Sequence, residues 1–190
     1  MDTKKDVRSR VRARRKALGA PIRQEYSARI SAELAPLLRK VDGYVFCYLS
    51  YASEVETSGV ITWLLANGVK VCVPSVTDGV MRAVCVDETT LFADGRLGIS
   101  EPTSGKEVLG EEIGLVLAPL VAFDERGNRL GQGGGYYDRF VTSQAFRVGL
   151  AFSCQQDEFP VEDFDVKLDA VVTEQGVRFF NEDYRRKIQG

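Results

Sequence analysis

The sequence predicts a three-layer α/β fold: a mostly parallel sheet with helices on both faces and an N-terminal helical segment packed on it. Three observations carry that expectation. Largely apolar, β-branched runs recur at residues 113–118, 146–152 and 170–173, as in strands buried on both faces. Segments with helical periodicity alternate with runs of this kind. A glycine-rich stretch follows one of them, and such sheets bind ligands beyond the carboxyl ends of their strands.

Residues 3–18 are rich in helix formers, with Val7, Val11 and Leu18 on roughly one face. Gly19-Ala20-Pro21 breaks the chain and restarts it, Pro21 suiting a first helical turn. Ile22, Tyr26, Ile30, Leu34 and Leu38 then recur every four residues, predicting a second helix. Residues 43–51 and 69–73 read as strands around a helix at 57–67 that carries Val60, Ile61, Leu64 and Leu65. A further strand is expected at 80–86. One domain is expected over 1–190, with basic N-terminal helices at 1–40 and an α/β core at 41–180.

The chain of 190 residues is 44% apolar and 27% charged, enough to bury a real core. No apolar run approaches the roughly 18 residues of a membrane span, and the N-terminus does not read as a signal peptide. The expectation is a cytosolic protein without a membrane partner. Cys47, Cys72 and Cys85 sit in apolar runs, where a free thiol behaves as a small hydrophobe, and Cys154 follows another. With no C-x-x-C pair and no histidine, a zinc site is not expected, and any mechanism built on a histidine base is excluded. Residues 1–40 carry twelve Lys/Arg against four Asp/Glu, so they stand at +8 within a chain of net −2. That basic segment points to an anionic partner. A small polyanion such as ATP suits it better than nucleic acid, because the rest of the chain is acidic and carries no recognised nucleic-acid module.

The most informative segment is PLVAFDERGNRLGQGGGYYDRF, residues 119–140, with Gly131, Gly133, Gly134 and Gly135 close together. Consecutive amides in such a turn form an anion-binding concavity. A helix opening at 136–140 would add its N-terminal amides, and Arg129 a fixed charge suited to phosphate. Neither common nucleotide signature is present: G-x-x-x-x-G-K-[ST] is absent, and Tyr136 occupies the last glycine position of G-x-G-x-x-G. On composition alone, a plain strand-to-helix connector explains the glycines equally well.

RLGQGGGYYDR resembles the signature of the 5-formyltetrahydrofolate cyclo-ligases, also called methenyltetrahydrofolate synthetases. Lys4-Lys5-Asp6-Val7-Arg8 resembles the family's basic helix start. Tyr48-Leu49-Ser50-Tyr51, running on to Glu54-Val55-Glu56-Thr57, resembles its strand-to-helix turn. Gly98-Ile99-Ser100-Glu101-Pro102 and Asp165-Val166-Lys167-Leu168-Asp169 resemble two later elements. These stand in family order from residue 4 to about 174. The resemblance implies conversion of 5-formyltetrahydrofolate, with or without a polyglutamate tail, to 5,10-methenyltetrahydrofolate, with Mg²⁺, by a monomer. ATP would phosphorylate the formamide oxygen, the N10 amine would attack the activated carbon, and phosphate would depart. Positioning and charge neutralisation suffice for such chemistry, so the missing histidine is no obstacle.

Carried over residue by residue, the resemblance gives Lys4, Lys5, Arg8, Arg129, Gly131, Gln132, Gly133, Gly134, Gly135, Tyr136 and Tyr137 to ATP. Arg129 and Tyr137 are the catalytic candidates. Tyr51, Glu56, Gln132, Gly133, Gly134, Gly135 and Tyr136 would meet the folate, Glu56 accepting from pterin N–H groups. Asp138 and Asp165 would hold Mg²⁺, with Asp169 in reserve for Asp165. Each has an ordinary alternative: the lysines as a solvated helix face, Glu56 in a capping box with Ser53, the tyrosines as core anchors. Gln132 and Gly134 stand where some family members carry Arg or Lys, so one phosphate contact is lost or supplied elsewhere. Tyr51 stands where the family varies. A catalytically silent folate- or nucleotide-binding protein of the same fold is the competing function. An RNA-associated protein, binding with a steep salt dependence, is the other.

Overall fold

The computed structural model describes residues 2–38, 40–95, 99–134, 137, 145–163 and 165–190. Two helices open the chain, α1 (Lys4–Ala17) and α2 (Gly19–Leu38). Thr3 starts α1 as a capping box: its hydroxyl accepts from the Asp6 amide, and its own amide donates to the Asp6 carboxylate. Pro21 falls in the first turn of α2, where its missing N–H costs nothing.

Twelve strands follow among the described residues: β1 (Tyr44–Cys47), β2 (Val71–Thr77), β3 (Val80–Val86), β4 (Phe92–Asp94), β5 (Ser100–Pro102), β6 (Glu107–Val108), β7 (Ile113–Pro119), β8 (Ala122–Phe123), β9 (Arg129–Leu130), β10 (Phe146–Leu150), β11 (Ala170–Thr173) and β12 (Gly176–Phe179). Eight of them form one sheet in the order β12-β11-β10-β7-β1-β2-β3-β6. The central five run parallel, and antiparallel strands flank them at both edges. β4 pairs with β5 and β8 with β9 as separate antiparallel hairpins. The expected α/β architecture with a mostly parallel sheet is the one the chain forms.

One sheet face presents Val45, Cys47, Val71, Val73, Leu115, Leu117, Val148, Leu150, Ala170 and Val172. Against it pack α2 through Ile30 and Leu34, α3 (Ser58–Ala66) through Val60 and Leu64, and α4 (Glu182–Gln189) through Tyr184. The other face presents Phe46, Cys72, Val116 and Ala118, continued by Leu120, Phe123, Leu168 and Val171. Tyr137 is its one helical residue among those described, its ring edge-on to Phe46 at 6.0 Å.

The first strand is shorter than its apolar run, because side chains turn the chain after Cys47. The Tyr48 carbonyl accepts from Thr57 Oγ1 (2.7 Å), and the Tyr48 hydroxyl donates to the Val55 carbonyl (2.8 Å). The Ser53–Glu56 capping box does not form. α3 begins later, at Ser58, with Thr57 as its N-cap.

The placement of α1 matters most for function. Val7 and Val11 are fully buried against Val121, Ala122, Leu130 and Phe159, at the β8–β9 hairpin. Arg15 reaches Ser53 Oγ beyond β1 (3.0 Å) and the Leu120 carbonyl beyond β7 (3.5 Å). Arg10 and Arg14 pair with Asp157, beyond β10. The basic helix therefore lies across the carboxyl ends of three central strands, where the parallel-sheet rule locates a ligand.

Candidate active site

The glycine loop does not follow β7 directly. The β8–β9 hairpin intervenes, and its turn is built by Asp124, whose Oδ1 accepts from the Arg126 and Asn128 amides (2.8 Å each). Gly127 completes that turn at φ +82°, and an added Cβ would lie 2.7 Å from the Phe180 ring, so no larger residue fits. Asp124, Gly127 and Asn128, turn residues that follow the apolar pair Ala122-Phe123, were the sequence signal for this hairpin. Arg129 consequently sits in a strand rather than in the loop. It is 8% exposed, its guanidinium donates to the Pro119 carbonyl (3.4 Å), and it lies 5.9 Å from the Tyr137 ring centre. The packing around Tyr137 lifts its phenol well above the ordinary value of 10, so it stays a neutral donor at physiological pH.

Residues 131–134 run from the end of β9 toward α1. Arg8 Nε donates to the Gly131 carbonyl at 2.8 Å. Gly133 takes φ +104°, which an L side chain rarely adopts, and a Cβ there would sit 3.6 Å from the Arg8 guanidinium. Backbone and cation thus come close enough to face one anion together. Arg12, one turn further along α1, donates to Gln132 Oε1 (2.6 Å). Lys5 is exposed and makes no direct hydrogen bond or ion pair in the described structure. Gly135, Tyr136 and Asp138, and Gly98 of the third motif, lie outside the described residues.

A cleft of about 350 Å³ opens beside this loop. α2 contributes Ala20, Arg23, Gln24 and Ser27, and the turn after β1 contributes Ser50, Tyr51, Ala52, Glu54 and Glu56. The two folate candidates therefore share one wall. Tyr51 is half exposed, and Glu56 accepts from Ser58 Oγ (2.9 Å) while its amide donates to Ser27 Oγ (3.1 Å). Sequence reasoning missed Arg12, Arg15, Arg23 and Glu54. The helical spacing of Lys4, Arg8, Arg12 and Arg15 was the available signal for the first two.

Among the described residues Lys4 meets two carboxylates. Its ammonium bridges Glu162 (2.5 Å) and Asp165 (2.7 Å). Burial pulls its pKa down, but the hydrogen bonds to Asp165 and Glu162 more than offset that, so it lies above the ordinary 10.5. Asp165 Oδ2 also accepts from the Glu162 amide (2.9 Å). Among the described residues no group of three or more Cys, Asp or Glu is arranged to hold a metal. Mg²⁺ takes one or two carboxylates and fills its shell with water and phosphate oxygens, so Asp165 fits as one such carboxylate. Asp169 does not. It precedes β11, at the opposite end of the sheet, and its oxygens are taken by Arg147 (2.7 and 3.2 Å) and Asn181 Nδ2 (2.6 Å).

A basic helix, a glycine loop and an acidic cleft thus converge at the carboxyl end of a parallel sheet. The profile of the 5-formyltetrahydrofolate cyclo-ligase family matches residues 1–174. The chain belongs to that family. It is an enzyme, a ligase of folate metabolism. The family's Escherichia coli K12 member, a 5-formyltetrahydrofolate cyclo-ligase, is 33% identical over 174 residues, covering 86% of this chain and 96% of the relative. The solution structure of Aquifex aeolicus 5,10-methenyltetrahydrofolate synthetase superposes with a TM-score of 0.83 at 30% identity, covering 93% of this chain and 92% of the other. The Mycoplasma pneumoniae synthetase shares the fold, with a TM-score of 0.73 at 24% identity over 92% of this chain and 99% of the other. No helix among the described residues is long and apolar enough to cross a membrane.

Proposed function

We propose that the protein converts 5-formyltetrahydrofolate to 5,10-methenyltetrahydrofolate with ATP and Mg²⁺, releasing ADP and phosphate, as a cytosolic monomer. The observation that carries this reading is the approach of the Arg8 guanidinium to Gly131 and Gly133, beside a cleft lined by Tyr51 and Glu56. A formamide oxygen is a poor leaving group. Its attack on the γ-phosphorus of ATP, with ADP leaving, makes it a good one. The N10 amine then adds to the activated carbon, phosphate departs with the former formyl oxygen, and the amine proton passes to water.

The chain's work is to hold both substrates and absorb charge. Arg8, Lys4 and Lys5, with the backbone of residues 131–137, would grip the triphosphate. Lys4 would exchange its carboxylate partners for phosphate in doing so. Arg129, held on the Pro119 carbonyl, would face the charge that builds on the transferred group, with Tyr137 as a neutral donor beside it. Glu56 and Tyr51 would orient the pterin, together with Gln132 and Tyr136 from the loop. Asp165 and Asp138 would hold Mg²⁺, which neutralises phosphate charge when bound. No nucleic-acid partner is proposed, because Asp157 already engages Arg10 and Arg14 of the basic helix.

The test is the near-ultraviolet absorbance of methenyltetrahydrofolate in a mixture of protein, 5-formyltetrahydrofolate, ATP and Mg²⁺. The signal should grow, stop when ATP is omitted or Mg²⁺ is chelated, and be lost in Arg129→Ala. Folded protein that binds either substrate but produces no signal would overturn the proposal.

A further inference from the structure

We infer that the Gln132 side chain is a positioning group that couples the nucleotide loop to the folate cleft, through a hydrogen-bonded bridge running from Arg12 to Glu54. This rests on the functional reading above. Arg12 donates to Gln132 Oε1 (2.6 Å), and Gln132 Nε2 donates to Glu54 Oε1 (2.8 Å). Glu54 Oε2 accepts from the Tyr51 amide (3.1 Å). Three segments that are far apart in sequence are thereby tied in series: the basic helix, the glycine loop and the turn that lines the cleft.

The chemistry of each position fits the bridge. A primary amide presents an acceptor and a donor side by side, so it can join a cation to a carboxylate without neutralising either. A basic residue in place of Gln132 would pair with Glu54 but repel Arg12, and an acidic one would do the reverse.

The turn at the far end also needs holding. The Glu54 amide donates to the Tyr51 carbonyl (3.1 Å), and Ala52 within that turn takes φ 54°, a left-handed conformation that strains a non-glycine residue. Glu54 closes the turn through both its amide and its carboxylate, and Gln132 fixes that carboxylate from outside. Arg15 holds the same turn through Ser53 Oγ (3.0 Å). At the near end, Gln132 precedes Gly133, which lies against Arg8. Phosphate drawn into the loop orders Gln132, Gln132 orders Glu54, and Glu54 fixes the turn that carries Tyr51.

The bridge is tested by calorimetric binding of a non-hydrolysable ATP analogue and of 5-formyltetrahydrofolate, each alone and each with the other saturating. In the unmodified protein each ligand should tighten the other by one common factor of roughly fivefold or more. In Gln132→Leu, whose exposed position spares the fold, that factor should fall toward one, whatever the change in each single affinity. Gln132→Glu, which faces Glu54 with a like charge, should lose the coupling too. A common factor near one in the unmodified protein, or an undiminished factor in Gln132→Leu, would overturn the bridge and leave the functional reading standing. Failure of the folded, unmodified protein to bind either ligand would overturn both.

Discussion

The centre of the sheet and the site at its carboxyl end are held together by different physics. In β1, β7, β10 and β11 the chain is buried on both faces, and residues such as Val45, Leu115, Leu117 and Val148 have no exposed surface. Their stability comes from apolar burial and close packing, which is non-directional and distributed over many neighbours. At the site, α1, the glycine loop and the turn after β1 meet through single polar contacts spanning up to 123 positions, as Arg8 does with Gly131. Such contacts are individually weak, and water replaces them readily. A substitution in the first region should therefore unfold the protein, whereas one in the second should disable it while it stays folded.

The largest expected effect lies in the sheet. Leu117→Ala removes a fully buried side chain from β7 and should cost about 2–5 kcal/mol in urea unfolding, with turnover per folded molecule unchanged. A loss below about 1 kcal/mol would mean that the core tolerates voids. Next comes Gly133→Ala, which forces a side chain to φ +104° beside Arg8. The loop can relax where the sheet cannot, so the expected readout is ATP affinity weakened by roughly tenfold, or about 1.4 kcal/mol, with the unfolding midpoint nearly unmoved.

A smaller effect depends on pH. The hydrogen bond from Arg10, with Arg14 nearby, holds the Asp157 carboxyl below its ordinary 3.8. A carboxyl lowered by folding contributes its full stability above the unfolded value, and loses it as pH falls through the folded one. Thermal unfolding of the native protein should thus weaken below about pH 4 by more than that of Asp157→Asn. Equal slopes would show that α1 is not secured by this pair. The smallest expected effect is none at all. Burial pushes the Cys47 thiol up to about 12 and raises Cys72 as well, so both should resist alkylation at pH 8 until the protein unfolds. Rapid labelling of either would mean that the sheet opens more easily than its packing suggests.

Much of the sheet was legible in the sequence, and less of the site. Val80–Val86 and Ala170–Thr173 have the bounds their apolar runs predicted, because β-branched and apolar content is a signal carried within the segment itself. The run at 43–51 misled, since Thr57 and Val55 stop β1 through bonds to Tyr48 that no local pattern encodes. The β8–β9 hairpin went unseen because each strand has only two residues, too few for an alternation to register. At the site, the glycine loop and Arg8 were legible from local composition and motif. The Arg12–Gln132–Glu54 chain was not: its partners stand 120 and 78 positions apart, and only the fold brings them together.

The measurement that tests this account most directly is turnover of Arg8→Ala, followed by methenyltetrahydrofolate absorbance beside a thermal melt of the same sample. Loss of a charge-assisted phosphate contact, worth about 1.5–3 kcal/mol, should lower kcat/KM for ATP by roughly 10- to 100-fold. The melt should stay within a few degrees of the unmodified protein. Full turnover in Arg8→Ala would contradict the assignment of the basic helix and glycine loop to ATP, and a collapsed melt would contradict the division between a packed core and a separable site.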